Sequence, residues 1–169
     1  VALSVNLPYI PCDERNLVYK AAKLLMDEFQ IKEGVSIKLT KSIPVAAGMA
    51  GGSADAAAAF VGINRLFRLG LTEEELMKRA VGTGADVPYC IMRGTALAEG
   101  IGEKLSQLPP LPDCYVLIGK PGVSVSTKMA YENLKLDQIK RHPDIDGMIR
   151  DIQKGDLYSM TEKMENVLE

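Results

Sequence analysis

Pro44-Val45-Ala46-Ala47-Gly48-Met49-Ala50-Gly51-Gly52-Ser53-Ala54-Asp55-Ala56 carries three glycines and five alanines and opens directly into a helical stretch. A chain this free of bulk lets its backbone approach another group closely. The start of a helix adds unpaired N–H groups and a partial positive charge. The combination suits a polyphosphate. It is not an ordinary P-loop, because the lysine of the G-x4-G-K-[ST] pattern is absent. Glycines admit positive φ and remove Cβ atoms where a phosphate would press on the main chain. Ser53 can turn its hydroxyl to a phosphate oxygen or to Mg2+. The structural alternative is a flexible strand-to-helix turn, capped by Ser53, ahead of an alanine-rich core helix.

Outward from this run, residues 35–39 alternate with period two and predict a half-buried strand. Residues 53–67 predict a helix that is apolar nearly all round, hence central and closely packed, with Gly70 ending it. Upstream, residues 1–6 read as a strand, and Asp13 is the expected cap of a helix over 14–29 with Leu17, Ala21, Leu24 and Leu25 as its apolar stripe. Downstream, Thr72-Glu73-Glu74-Glu75 is a capping box for a short helix, worth about 1 kcal/mol and carrying no chemistry. Strands are expected near 95–99 and 103–107, and a buried strand over 114–119. Ser126 or Thr127 can cap a helix to about 134, and amphipathic helices follow Pro143 and Gly155. The prolines at 109, 110 and 112 mark the domain boundary. Helices and strands intermix without a regular βαβ repeat, which favours an α+β fold.

The 169 residues, 47% apolar and 25% charged, have ordinary globular composition and suffice for one domain, or for one and part of another. A net charge of −2 gives no polyanion-binding surface, so nucleic acid is not expected as a partner. No apolar run approaches the roughly 20 residues that span a bilayer, so no membrane partner is expected either. Cys12, Cys90 and Cys114 lie far apart, with no C-x-x-C, and read as thiols of a reducing compartment. The single histidine, His142, leaves no material for a histidine-built metal site or a Ser-His-Asp triad.

Among candidate site residues, Asp86 sits in Gly84-Ala85-Asp86-Val87-Pro88, flanked by small or apolar residues. A carboxylate so placed can have a raised pKa and accept a proton from a hydroxyl; the alternative is a cap or turn before Pro88. Lys41 can lie along a nucleotide or be a solvated strand-end lysine. Tyr131 can stack on a base or belong to a core. Capping and packing account for Asn16 and Leu17.

Pro44-x-x-x-Gly48-Met49-Ala50-Gly51-Gly52-Ser53 ahead of an alanine helix resembles the ATP-binding motif of the GHMP kinases. Asp13-Glu14-Arg15-Asn16-Leu17, Gly84-Ala85-Asp86-Val87-Pro88, Gly94-Thr95-Ala96-Leu97-Ala98-Glu99-Gly100-Ile101-Gly102-Glu103 and Lys120-Pro121-Gly122-Val123-Ser124-Val125-Ser126-Thr127 follow in the family's order. Together they resemble its branch that phosphorylates a small-molecule substrate, a cytidine-diphosphate-linked methylerythritol, in non-mevalonate isoprenoid biosynthesis. The resemblance implies transfer of the ATP γ-phosphoryl to the C2 hydroxyl, with Mg2+, in the bacterial cytoplasm or the plastid stroma. It implies Asp86 as the catalytic residue facing the substrate hydroxyl. It places Pro44, Val45, Ala46, Ala47, Gly48, Met49, Ala50, Gly51, Gly52, Ser53 and Ala54 around the ATP phosphates. Asn16, Leu17 and Lys41 would line the adenine pocket, and Thr127 and Tyr131 would lie near the cytidine.

The implied fold is a ribosomal-protein-S5-like nucleotide domain over 1–108, joined to the start of a ferredoxin-like domain over 109–169. Ala54 stands where the family commonly has a serine. Family members carry a catalytic lysine and a tyrosine–histidine pair ahead of the position of Val1, and a second glycine-rich motif beyond that of Glu169. The chain therefore reads as an internal portion of such a kinase, and little or no turnover is expected of these residues alone. The rival readings are another GHMP small-molecule kinase and a non-catalytic nucleotide-binding regulator of the same fold. A hydrolase using Ser53 as nucleophile lacks a histidine near it.

Overall fold

In the computed structural model, which describes residues 1–119, 132–135 and 142–167, the chain opens with a parallel pair of short strands. Strand β1 (Ala2–Val5) lies beside β2 (Ser36–Leu39), with Ala2 opposite Ser36 and Val5 opposite Leu39. Parallel strands need a crossover, and helix α1 (Leu17–Glu28) supplies it. Its cap is Asn16, not Asp13. The Asn16 side chain accepts from the Val18 amide at 2.9 Å and donates to the Pro11 carbonyl at 2.8 Å. Asp13 is engaged elsewhere, by the Arg15 guanidinium at 2.7 Å.

Helix α2 (Gly51–Leu66) starts ahead of Ser53 and has Ala50, in the left-handed region at φ 47°, as its N-cap. It ends at Phe67, before Gly70. Arg68 takes the left-handed position at φ 51°, and the Leu69 amide reaches back to the Asn64 carbonyl at 3.0 Å, a Schellman closure made without glycine. Helix α3 (Glu73–Ala80) carries the expected capping box. Thr72 Oγ1 accepts from the Glu75 amide at 3.2 Å, and Glu75 Oε2 accepts from the Thr72 amide at 2.9 Å. The six-residue helix α4 (Val87–Met92) follows.

The core lies between α1 and α2 and extends to α3 and α4. Ala21, Ala22, Ala56 and Ala57 are buried and let the backbones of α1 and α2 approach; Leu25 and Phe60, both 0% exposed, fill the space between them. Burial of α2 is one-sided, since Ala58 is exposed and Leu66 is 62% exposed. Strands β3 (Thr95–Glu99) and β4 (Lys104–Leu108) form a second two-stranded sheet. Their short connection permits only an antiparallel hairpin. Gly100 and Gly102 take positive φ there, and Glu103 accepts from the Ile101 amide at 2.7 Å. Mixed helices and two small sheets make this an α+β fold.

The chain divides into two compact units, Val1–Arg93 with Ala98–Leu105, and Gly94–Leu97 with Ser106–Glu169. In the second, helices α5 (Ile145–Lys154) and α6 (Leu157–Glu162) occur where amphipathic helices were expected. Asp144 and Asp156 cap them. The buried strand expected over 114–119 does not form: Tyr115 and Leu117 are fully exposed, and no described residue pairs with the segment. An apolar run makes a strand only where a sheet edge is at hand to receive it. Most of the helix expected over 126–134 lies outside the described residues. Among the described residues, no helix is long and apolar enough to cross a membrane, and all three cysteines are free.

Candidate functional site

The glycine-rich segment leaves β2 and turns into α2 through three left-handed residues, Ala46 (φ 53°), Gly48 (φ 67°) and Ala50 (φ 47°). Two of these are alanines, for which the conformation costs roughly 1 kcal/mol each. Strain of this kind collects where a loop's shape serves a ligand. Ser53 does not cap α2, and no other side chain does. The first amide to find a partner is that of Ala54, on the Ala50 carbonyl at 2.8 Å. The amides of Gly48, Met49, Ala50, Gly51, Gly52 and Ser53 donate to nothing among the described residues. Six open N–H groups at the positive end of a helix form an anion cradle.

Gly51 is required by close packing. A Cβ there would meet Ile43 Cγ2 at 2.7 Å and Lys41 Nζ at 2.8 Å. Lys41 is therefore no solvated strand-end lysine. Its side chain is 5% exposed and its ammonium lies 2.5 Å from Asp55 Oδ2, beneath the first turn of α2. Asn6 fixes its backbone, accepting from the Lys41 amide at 2.7 Å and donating to its carbonyl at 3.3 Å.

A cleft of about 440 Å³ lies over this loop. It brings together Asn16, Leu17, Lys41 and the residues from Pro44 through Ser53; Ala54 does not line it. The size is that of a small-molecule pocket. Tyr9, Arg15 and Asp55, which sequence reasoning did not single out, also line the cleft. Asp55 carried a signal, standing one helical turn after Gly51 and so on the same face of α2. Both cations of the cleft have carboxylate partners. Arg15 grips Asp13 through Nε and Nη2, and these bonds hold the Asp13 carboxyl down at about 2.

The hydroxyl of Ser53 has no partner among the described residues, so it is available to one position of a hydrated Mg2+; no cluster of acidic, histidine or cysteine ligands occurs among those residues. Open amides and a free hydroxyl fit a nucleotide polyphosphate with its magnesium.

Asp86 is outside the lining of this cleft, at the N-cap of α4. Its carboxylate makes no capping bond, so the structural alternative of a helix cap is not realised. It is exposed, not walled in by apolar neighbours; Val87 and Pro88 turn inward instead. Cys90 lies one turn on, and burial first, then the Asp86 charge, push its thiol up. The Gly102 turn backs this segment, with the Ala85 carbonyl 3.9 Å from a Cβ placed on Gly102. Thr127 and Tyr131 lie outside the described residues.

Residues 16–94 match the family model described as the GHMP kinases N terminal domain. The chain is 58% identical, over its whole length, to a 4-diphosphocytidyl-2-C-methyl-D-erythritol kinase of Lachnoclostridium phytofermentans, and covers 58% of that protein. A crystal structure of 4-(cytidine 5'-diphospho)-2C-methyl-D-erythritol kinase superposes with a TM-score of 0.74 at 29% identity, covering 99% of this chain and 58% of the other. A homoserine kinase from Cytophaga hutchinsonii, at 20% identity and a TM-score of 0.76, has the same fold. The chain thus spans less than two thirds of the length of the curated relatives it matches.

Proposed function

The chain belongs to the GHMP kinase family, and from that premise we propose that the protein transfers the ATP γ-phosphoryl group to the C2 hydroxyl of 4-diphosphocytidyl-2-C-methyl-D-erythritol, a step of non-mevalonate isoprenoid biosynthesis in the bacterial cytoplasm. The observation that carries this reading is the row of unpartnered amides from Gly48 to Ser53 beneath a small-molecule cleft. Phosphoryl transfer asks a protein for positioning and charge stabilisation more than for covalent help. ATP with Mg2+ supplies the transferable phosphoryl group and neutralises part of its charge.

In this reading the residues from Pro44 through Ser53 grip the phosphates, with Ser53 offering its hydroxyl to the metal; Ala54, whose amide is taken by the Ala50 carbonyl, stands behind them. Asn16 and Leu17 line the base end, whereas Lys41, which the resemblance assigns there, has its ammonium beneath the first turn of α2. Asp86 orients the acceptor alcohol and takes its proton; a carboxylate that caps nothing and meets solvent is free for that work. Thr127 and Tyr131 hold the cytidine. Residues 1–108 are assigned to an S5-like nucleotide domain and 109–169 to a ferredoxin-like one. The uncommitted Asp86 also favours an enzyme over a nucleotide-binding regulator.

The full-length protein, incubated with ATP, Mg2+ and the diphosphocytidyl alcohol, is expected to release ADP and to yield a new phosphomonoester signal in 31P NMR. Homoserine and mevalonate should give neither. Asp86→Asn should lower kcat by about 10²–10⁴ while ATP still binds. ATP binding without phosphorylation of any acceptor would replace this reading with the regulator.

A further inference from the structure

The glycine loop contains no lysine, yet an ammonium group lies directly beneath it. Lys41 Nζ is 2.8 Å from the position a Gly51 Cβ would take, and its side chain is 5% exposed. Its backbone is clamped at both N–H and C=O by Asn6, so only the side chain can move. The partner of that ammonium is Asp55, 2.5 Å away and itself 18% exposed, on the cradle-facing side of α2. Both residues line the cleft. A negative charge inside an anion-binding cleft opposes the ligand, unless its task is to govern the cation beside it.

We propose that Asp55 is a positioning residue: it seats the Lys41 ammonium under the first turn of α2 and cancels its charge, so that the cradle does not trap the nucleoside diphosphate after transfer. The role rests on reading the cleft as a nucleotide site. Without the Asp55 charge, a nearly buried ammonium has no counter-ion, and the phosphates over Gly51–Ser53 become its nearest anion. The nucleotide is then held too tightly. Without the Lys41 charge, the carboxylate is left facing the phosphates and repels them.

Asp55→Asn keeps the shape and the hydrogen-bond acceptor and removes only the charge. In the full-length protein, ADP titrated calorimetrically should bind Asp55→Asn about tenfold more tightly, and the gain should shrink at high salt. Its kcat should fall without a rise in KM for ATP. Lys41→Met should bind ADP about tenfold more weakly, and the double variant, which buries no lone charge, should return to within about threefold of the parent. A purely structural Asp55 would give weaker ADP binding in Asp55→Asn, and that result overturns the proposal. Should Asp55→Asn be unfolded at the assay temperature, the double variant decides alone, and a tenfold loss of ADP affinity in it overturns the positioning role. A parent protein that binds neither ADP nor ATP overturns the nucleotide reading itself, and this role with it.

Discussion

Gly51 stands so close to Ile43 that a methyl group on its Cα would come within 2.7 Å of Ile43 Cγ2. Ile43 is β-branched and stiff, and the other neighbour, Lys41 Nζ, is tied to Asp55, so the first turn of α2 must move instead. Gly52 differs: a Cβ there would meet Leu17 Cδ1 at 3.6 Å, an ordinary contact. Gly51→Ala should lose about 1–3 kcal/mol of stability together with nucleotide affinity. Gly52→Ala should keep its melting temperature and raise only KM for ATP, because its methyl group adds bulk within the cleft. Thermal melts alongside nucleotide titrations check this, and equal destabilisation of the two variants would sink it.

Local signals in the sequence translated well into structure, and signals needing a distant partner did not. Thr72 and Glu75 satisfy each other within one turn, so the capping box was legible. The start of α2 was legible to within two residues, at Gly51 and not Ser53, because a glycine-rich turn that runs into alanines is a local change from permissive to helix-forming residues. Asp13 and Asn16 are both good caps by type; the choice fell to Asn16 because its amide also reaches the Pro11 carbonyl. Helix α4 is too short to show a period. The exposure of Tyr115–Ile118 could not be read from an apolar run, since burial of a strand depends on what lies beside it. The Lys41–Asp55 pair, which corrects the picture of a solvated lysine, joins residues 14 apart and has no local signature. Asp86 was legible as a candidate but not its exposure, which Val87 and Pro88 bring about by turning inward.

Thr72 reaches beyond its own turn, because α3 presents Leu76 and Ala80, 3% and 0% exposed, to the core. Thr72→Ala removes the acceptor for the Glu75 amide and should cost about 1 kcal/mol, read as an earlier urea midpoint with an unchanged slope. A loss below about 0.3 kcal/mol would mean that packing alone sets the helix start.

Arg15 holds the Asp13 carboxyl at about 2, chiefly through its side-chain hydrogen bonds and then through its backbone N–H. The folded value is below the unfolded value of about 3.9. The stabilising contribution is therefore complete above that value and is lost as pH falls through about 2. Arg15 and Asn16 line the cleft, so the rim formed by this turn should persist to pH 3. The 13C shift of the Asp13 carboxyl carbon should titrate near 2, and in Arg15→Gln it should move up toward the usual carboxylate range. A midpoint near 4 in the parent protein would show that the guanidinium does not hold it.

Asp86 and Cys90 share one face of α4, and the thiol there is raised by burial first and by the carboxylate second. The thiolate is the reactive form, so at pH 8 Cys90 should alkylate more slowly than the exposed Cys12 and Cys114. Asp86→Asn removes the second cause and leaves the first. Its Cys90 rate should rise about two- to fivefold and still trail the other two thiols, since a tenfold rise would require the Asp86 charge alone to disfavour the thiolate by about 1.4 kcal/mol. Peptide-resolved mass spectrometry of iodoacetamide labelling reads all three sites at once. An unchanged Cys90 rate in Asp86→Asn would mean that the carboxylate points away from the thiol, and the loss of kcat in the same variant would then have to be traced to a different orientation of Asp86.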